Sequence, residues 1–202
     1  MLVVVGGHSR NIGKTSVMAS IIRATRDLEW QAIKLTQHGH GICSKDGKPC
    51  DCAPGDATHP YVLDAQTTAD GTDSGRYLAA GASRSWWLRT AVGQLGDAMP
   101  AMRKLLTECE HTIVESNSLI RFLKPDLYIV VLDYSVADIK DSARLYMDRA
   151  DAFAMVPRER MENPWGVPER WIRSKPVFAI HPPDYGSEAL TEFVRARVNT
   201  KV

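Results

Sequence analysis

The chain has 202 residues, 44% of them hydrophobic and 24% charged, which suits one globular domain with a sizeable core. A formal net charge of +1 excludes general electrostatic attraction to nucleic acid or to an anionic membrane. No apolar run reaches the ~20 residues of a bilayer span. The apolar start, Met1 to Val5, has neither the basic leader nor the cleavage site of a signal peptide, so a soluble, cytoplasmic protein is expected.

Strand and helix patterns alternate along the chain. Residues 2–6 are a continuous β-branched run, suited to a strand buried on both faces. A helical stripe follows over 14–27, with Val17, Met18, Ile21 and Ile22 on one face, and then a strand over 30–36. From 37 to 71 the periodicity dissolves into Gly, His, Cys, Pro and Asp. A structureless loop of that length is uncommon in a compact domain, so something other than a hydrophobic core is expected to order it. Regularity returns with a helix over 73–82, a strand over 85–89, a helix over 93–108 and a short strand over 112–115. Residues 126–132 (DLYIVVL) read as the clearest buried strand. The next helix is expected from Ser135, opened by a capping box with Asp138 and running to Arg149 with Val136, Ile139, Ala143 and Met147 inward. Strands over 152–156 and 177–180 flank a surface loop, 157–176, that carries four prolines; a helix over 187–197 ends the chain. This alternation predicts a three-layer α/β fold, a mainly parallel sheet with helices on both faces, as a single domain with a Cys/His-rich insert at about 37–71.

The first strand leads into Gly7-His8-Ser9-Arg10-Asn11-Ile12-Gly13-Lys14-Thr15-Ser16. A nucleoside triphosphate needs a concave run of backbone N–H groups, a helix N-terminus, a lysine for its terminal phosphates and a hydroxyl for Mg²⁺. Gly7 and Gly13 supply the freedom to turn and close approach, Ser9 to Ile12 the cradle, Lys14 the lysine and Thr15 the hydroxyl, with Ser16 as a further contact. Five residues separate Gly7 from Gly13 where the common pattern has four, and His8 stands at an expected glycine. Glu115 closes the strand 112–115, placed to hold Mg²⁺ or orient a nucleophile. Asp73 is a second metal or capping carboxylate. Lys34 and Arg76 are candidate phosphate or substrate contacts. Asp133 either faces the same site or caps the next helix. No Asn-Lys-x-Asp motif selects a base, so ATP and GTP both stand.

The long loop spacing resembles that of dethiobiotin synthetase and the cobyric acid synthase relatives, and Val114-Glu115 resembles a segment of the former, with Ser116 in place of a glycine. Asp73-Ser74-Gly75-Arg76 followed by Ala80-Gly81-Ala82 is similar to a segment of MobB-type proteins, GTP-binding adaptors of molybdopterin-guanine dinucleotide biosynthesis; Lys34 and His38 resemble their lysine–histidine stretch. The resemblance covers about the first 120 residues. It implies a P-loop NTPase fold, a Mg²⁺-dependent nucleotide site with slow hydrolysis, a homodimer and a partner enzyme of cofactor synthesis. The alternatives are an ATP-dependent enzyme activating a small molecule, in the manner of dethiobiotin synthetase, and a metal-sensing or metallochaperone NTPase.

The last alternative rests on Cys43, Cys50 and Cys52, three cysteines within ten residues around a turn signal, Lys45-Asp46-Gly47-Lys48. With His59 as fourth ligand (His38 and His40 are also near) they fit a tetrahedral Zn²⁺ site, which would order the aperiodic stretch. An iron–sulfur cluster, a redox pair or reduced thiols are the other readings, and neither resembled family has this triad. Cys109 is expected in the core. The paired Trp86-Trp87, and Trp165 and Trp171, read as core or dimer contacts, with base stacking as a second role for Trp165.

Overall fold

The computed structural model describes residues 1–39, 59–159 and 163–200. An eight-stranded sheet runs in the order β3-β4-β2-β5-β1-β6-β7-β8. Its strands are β1 (Leu2–Gly7), β2 (Gln31–His38), β3 (Tyr61–Gln66), β4 (Arg84–Ala91), β5 (Thr112–Glu115), β6 (Leu127–Asp133), β7 (Ala152–Val156) and β8 (Val177–Ala179). Every pairing is parallel except β3 with β4.

The period of two along each strand sorts side chains into two cores. On one face, Val3, Val5, Ile129 and Val131 pack with Val17, Met18, Ile21 and Ile22 of α1 (Lys14–Ala24), Tyr77 of α2 (Asp73–Ala80) and Leu190 and Val194 of α6 (Glu188–Asn199). On the other, Val4, Tyr128, Val130 and Leu132 pack with Met99, Met102 and Leu105 of α3 (Met99–Glu108), Tyr146 of α4 (Asp141–Tyr146) and Ile172 of α5 (Arg170–Arg173). The structure is the expected three-layer α/β arrangement. β1 lies between β5 and β6, where successive connections leave in opposite directions; that places a crevice at the carboxyl ends of β1, β5 and β6.

Four elements differ from the sequence reading. β3 lies within the stretch read as aperiodic. It is an edge strand with no fully buried residue, so its only trace is the alternation of Tyr61, Leu63 and Ala65 with Asp64 and Gln66. Helix α2 stops at Ala80 because Gly81 turns left-handed at φ 107°, its N–H bonding Leu78 O and that of Ala82 bonding Tyr77 O. The proline-rich segment is more than a surface loop: Trp165, Val167 and Ile172 are buried in the second core.

The largest correction concerns the helix expected from Ser135, which begins only at Asp141. Ser135 donates its N–H and hydroxyl to Asp133 Oδ1, at 2.9 and 2.7 Å, a local turn that competes with helix. The inferred stripe fails as well, since Val136 packs against one core and Ile139 against the other. Asp138 caps nothing on this segment; its side chain is engaged by the loop after β1. Cys109 follows α3 in extended conformation and is half-buried rather than in the core.

Candidate functional site

The loop after β1 is shaped by its glycines and clamped by one asparagine. Gly13 sits at φ 91°, a left-handed conformation that starts α1 without a side-chain cap. Asn117, just beyond β5, accepts from Gly7 N and donates to Gly7 O, both at 2.8 Å. A Cβ on Gly6 would lie 2.2 Å from Asn117 Oδ1, so the clamp needs glycine there. Sequence reasoning gave Asn117 no role; its nearness to Gly7 is a consequence of the β1–β5 register.

Ile12 is buried in the core, so its side chain is withdrawn from the loop's surface. Asn11, exposed at φ 53°, forms the loop tip. Lys14 folds back over the loop and donates to Ser9 O at 2.6 Å. Burial pulls its pKa down, and nearby Glu115 resists that shift.

Below Lys14 lies a compact charged cluster. Glu115 accepts from Thr15 Oγ1 at 2.7 Å, from Lys34 Nζ at 2.6 Å and from the Tyr77 hydroxyl. Lys34 also pairs with Asp73 at 2.8 Å, so one ammonium bridges two carboxylates. Burial alone would raise Glu115, yet Lys34 and Lys14 outweigh it and bring its pKa to about 2. Burial would likewise depress Lys34, but Glu115 and Asp73 raise it. Burial, then Glu115, lifts the Tyr77 hydroxyl well above its ordinary value, so it stays a proton donor to the carboxylate. Arg76 reaches Ser16 Oγ at 2.8 Å and lies 4.0 Å from Asp73. The structure thus gathers Lys14, Thr15 and Ser16 of α1, Lys34 of β2, Asp73 and Arg76 of α2 and Glu115 of β5, four elements spread over about a hundred residues.

A Mg²⁺ ion needs hard oxygen donors. The Thr15 hydroxyl and the Glu115 and Asp73 carboxylates form such a set, and the Lys34 ammonium between the carboxylates marks the place of a positive charge. These residues fit a magnesium site.

A second segment meets the loop from β6. His8 Nε2 accepts from Asp133 N at 3.1 Å, and its Nδ1 lies 2.9 Å from Asp138 O. With one nitrogen accepting, the other carries the proton and donates, which is the neutral imidazole. Burial agrees, lowering the His8 pKa. Ser9 Oγ donates to Asp138 Oδ2 at 2.5 Å, and Lys140 N donates to His8 O at 2.8 Å. Trp165 completes the wall: its ring lies 4.3 Å from His8 and 4.9 Å from Tyr134, and its indole N–H bonds Val136 O. Only 3% exposed, Trp165 is a packing residue and offers no face for base stacking. Asp133 is held by Arg158 at 2.6 and 3.0 Å, and these bonds with those of Ser135 overcome burial to bring its pKa to about 2. Neither Lys140 nor Asn117 carries a motif that marks it in advance, and His8 and Asp138, noted only as a loop residue and a capping-box residue, carry none that marks their meeting.

The cysteine reading falls elsewhere. Cys43, Cys50 and Cys52, with His40, lie outside the described residues; His59 is exposed just before β3, and His38 is half-buried at the end of β2. Among the described residues no three His, Cys, Asp or Glu side chains converge as a metal cluster. No helix among them is long and apolar enough to cross a membrane.

A parallel sheet, a glycine-turned loop between β1 and α1 and a lysine–threonine pair opening that helix define the P-loop NTPase fold. The chain is similar to HypB from Helicobacter pylori, whose structure is in complex with nickel: 14% identity, TM-score 0.54, covering 98% of this chain and 87% of that one. A match to LpxK from Aquifex aeolicus, in complex with ATP, has 15% identity and a TM-score of 0.49 over 100% of this chain and 68% of that one. No known family profile and no curated protein sequence matches the chain.

Proposed function

We propose that the protein binds ATP or GTP with Mg²⁺ in the crevice above β1 and hydrolyses it slowly, as a MobB-like adaptor in cofactor biosynthesis. The observation that carries the nucleotide reading is the cluster in which Lys14, Thr15, Lys34 and Glu115 converge beside a left-handed Gly13. Backbone N–H groups from Ser9 to Thr15 and the start of α1 would cradle the phosphates, and Lys14 would leave Ser9 O for the terminal ones. Bound magnesium supplies charge neutralisation between phosphate oxygens. Thr15, with Glu115 and Asp73, would hold it. Arg76, tied to Ser16, stands ready for an outer phosphate or substrate group. The Asp73–Ala82 resemblance supports the adaptor role, with a homodimer and a biosynthetic partner enzyme as its setting.

A second reading is a metal-handling NTPase, favoured by Cys43, Cys50 and Cys52 in the segment between β2 and β3 and by the nickel complex of the HypB neighbour. In that role the cysteines with His59 would receive Zn²⁺ or a comparable soft-ligand metal. Elemental analysis of purified protein separates the two readings: stoichiometric metal lost in Cys→Ser variants supports the second, and metal-free, folded protein removes it.

The nucleotide reading is tested by calorimetry with ATP, GTP and their non-hydrolysable analogues. Lys14→Ala should weaken binding roughly a hundredfold, as loss of charge-assisted phosphate contacts implies. Undiminished binding in that variant overturns the reading.

A further inference from the structure

We propose that Lys140 is a second phosphate lysine, carried on the segment after β6 and directed to the terminal phosphate of a bound nucleoside triphosphate; this rests on the nucleotide-binding reading above. The first support is position. Lys140 N is bonded to His8 O, and two residues earlier Asp138 is bonded to both His8 and Ser9, so the residue is pinned over the opening turn of the phosphate loop. Its place is fixed by three attachments to that loop on one side and, as the N-cap of α4, by bonds from Ala143 N and Arg144 N to its carbonyl on the other.

The second support is the state of its ammonium. Lys14 has Ser9 O, and Lys34 has Asp73 and Glu115. Among the described residues no hydrogen bond or ion pair is made by Lys140 Nζ. Lys140 is half-buried. The charges that act most strongly on its ammonium are those of Lys14 and Arg10 of the loop, Lys34 of β2 and Glu115 of β5, three cations and one carboxylate that Lys34 already occupies. Burial, followed by Lys14, Arg10 and Lys34, brings its pKa down to about 7. A cation gathered among like charges is destabilising unless an anion joins it. A polyphosphate is such an anion. The strongest charged neighbour of Lys140 is Lys14, and a loop lysine of this kind reaches the β- and γ-phosphates. Lys140 therefore faces the end of the nucleotide that hydrolysis removes.

The consequence is discrimination of triphosphate from diphosphate. Calorimetry with AMP-PNP against ADP, and GMP-PNP against GDP, in Mg²⁺ buffer reads it directly. Lys140→Met should lower affinity for the triphosphate analogue roughly ten- to a hundredfold while leaving the diphosphate within about threefold. Lys140→Arg should restore most of the loss. Because the free ammonium is partly deprotonated above pH 7, binding of AMP-PNP or GMP-PNP at pH 8 should take up a proton, seen as an enthalpy that varies with buffer ionisation heat. Lys140→Met should abolish that variation. Its melting temperature should not fall, since an unpaired cation has been removed. Equal losses for tri- and diphosphate, or a Met variant with wild-type discrimination and proton uptake, overturn the proposal while the nucleotide reading stands. If the wild-type protein binds none of the four nucleotides, that reading falls and this one with it.

Discussion

Two segments leave the carboxyl ends of neighbouring strands, β1 and β6, and meet over one crevice, but they hold their shapes by different means. The β1 segment is set mainly by its own backbone, with one distant clamp, Asn117 on Gly7: Gly13 is left-handed, the chain turns straight into α1, and Ile12 plugs the loop into the core. The β6 segment has no regular structure from Tyr134 to Lys140. It is held by bonds to His8 and Ser9 of the first segment and by Trp165 of the segment after β7. One is shaped locally and the other by contact. Shape set locally survives the loss of a neighbour, whereas shape set by contact depends on both sides.

The largest expected effect lies under the first segment. Glu115 is nearly inaccessible, with side-chain exposure of 4%, and is paired to Lys34. Glu115→Gln leaves Lys34 with Asp73 alone and should cost about 3 kcal/mol or more, since breaking a buried pair strands a charge. Urea unfolding at neutral pH measures it. Acid titration sharpens the assignment. The folded pKa of Glu115, about 2, lies below its ordinary 4.5, so its contribution is full above 4.5 and is lost as pH falls toward 2. The variant should lose the Glu115 share of that limb, leaving the part due to Asp133, whose pKa is also about 2.

Next comes Gly13→Ala. A side chain at φ 91° is strained, and its Cβ would lie 2.2 Å from the Tyr185 ring in the turn after β8. The cost should be about 2–3 kcal/mol by urea unfolding. A cost near zero would mean that the loop yields, and that its shape is not set locally after all.

The same contrast explains what the sequence disclosed. The β1 loop was readable because glycine spacing, Lys14 and Thr15 are requirements on neighbouring residues. Glu115 was readable because a carboxylate ending a buried strand has few places to point. The sheet was readable because β-branched runs such as Leu127–Asp133 are unambiguous in length and burial. Lys34 and Asp73 were nominated separately, but their joint grip on one carboxylate follows from strand order. The β6 segment read as a helix because Val136, Ile139, Ala143 and Met147 have helical spacing; two cores on opposite sheet faces produced that spacing by coincidence. His8, Asn117, Asp138 and Lys140 act through partners 110 to 132 residues away, a relation that no local pattern encodes.

The smallest expected effects test the contact-held segment. Asp138→Ala removes the bond from Ser9 but keeps both the Asp138 O and the Lys140 N attachments to His8, so it should cost only about 1 kcal/mol. His8→Ala removes the ring bonds to Asp133 and Asp138 and the contact with Trp165 together, and should cost more. The difference between a Trp165→Phe background and wild type isolates the emission of Trp165, which should shift in His8→Ala and scarcely in Asp138→Ala. The His8 pKa lies below its ordinary 6.5, so its contribution is full above 6.5 and declines as pH falls through the lowered value, a decline that starts at higher pH than the Glu115 limb. His8→Ala should erase this upper limb and leave the lower one. If instead His8→Ala costs no more than Asp138→Ala and leaves Trp165 emission unchanged, the β6 segment stands without the loop, and the division between the two is wrong.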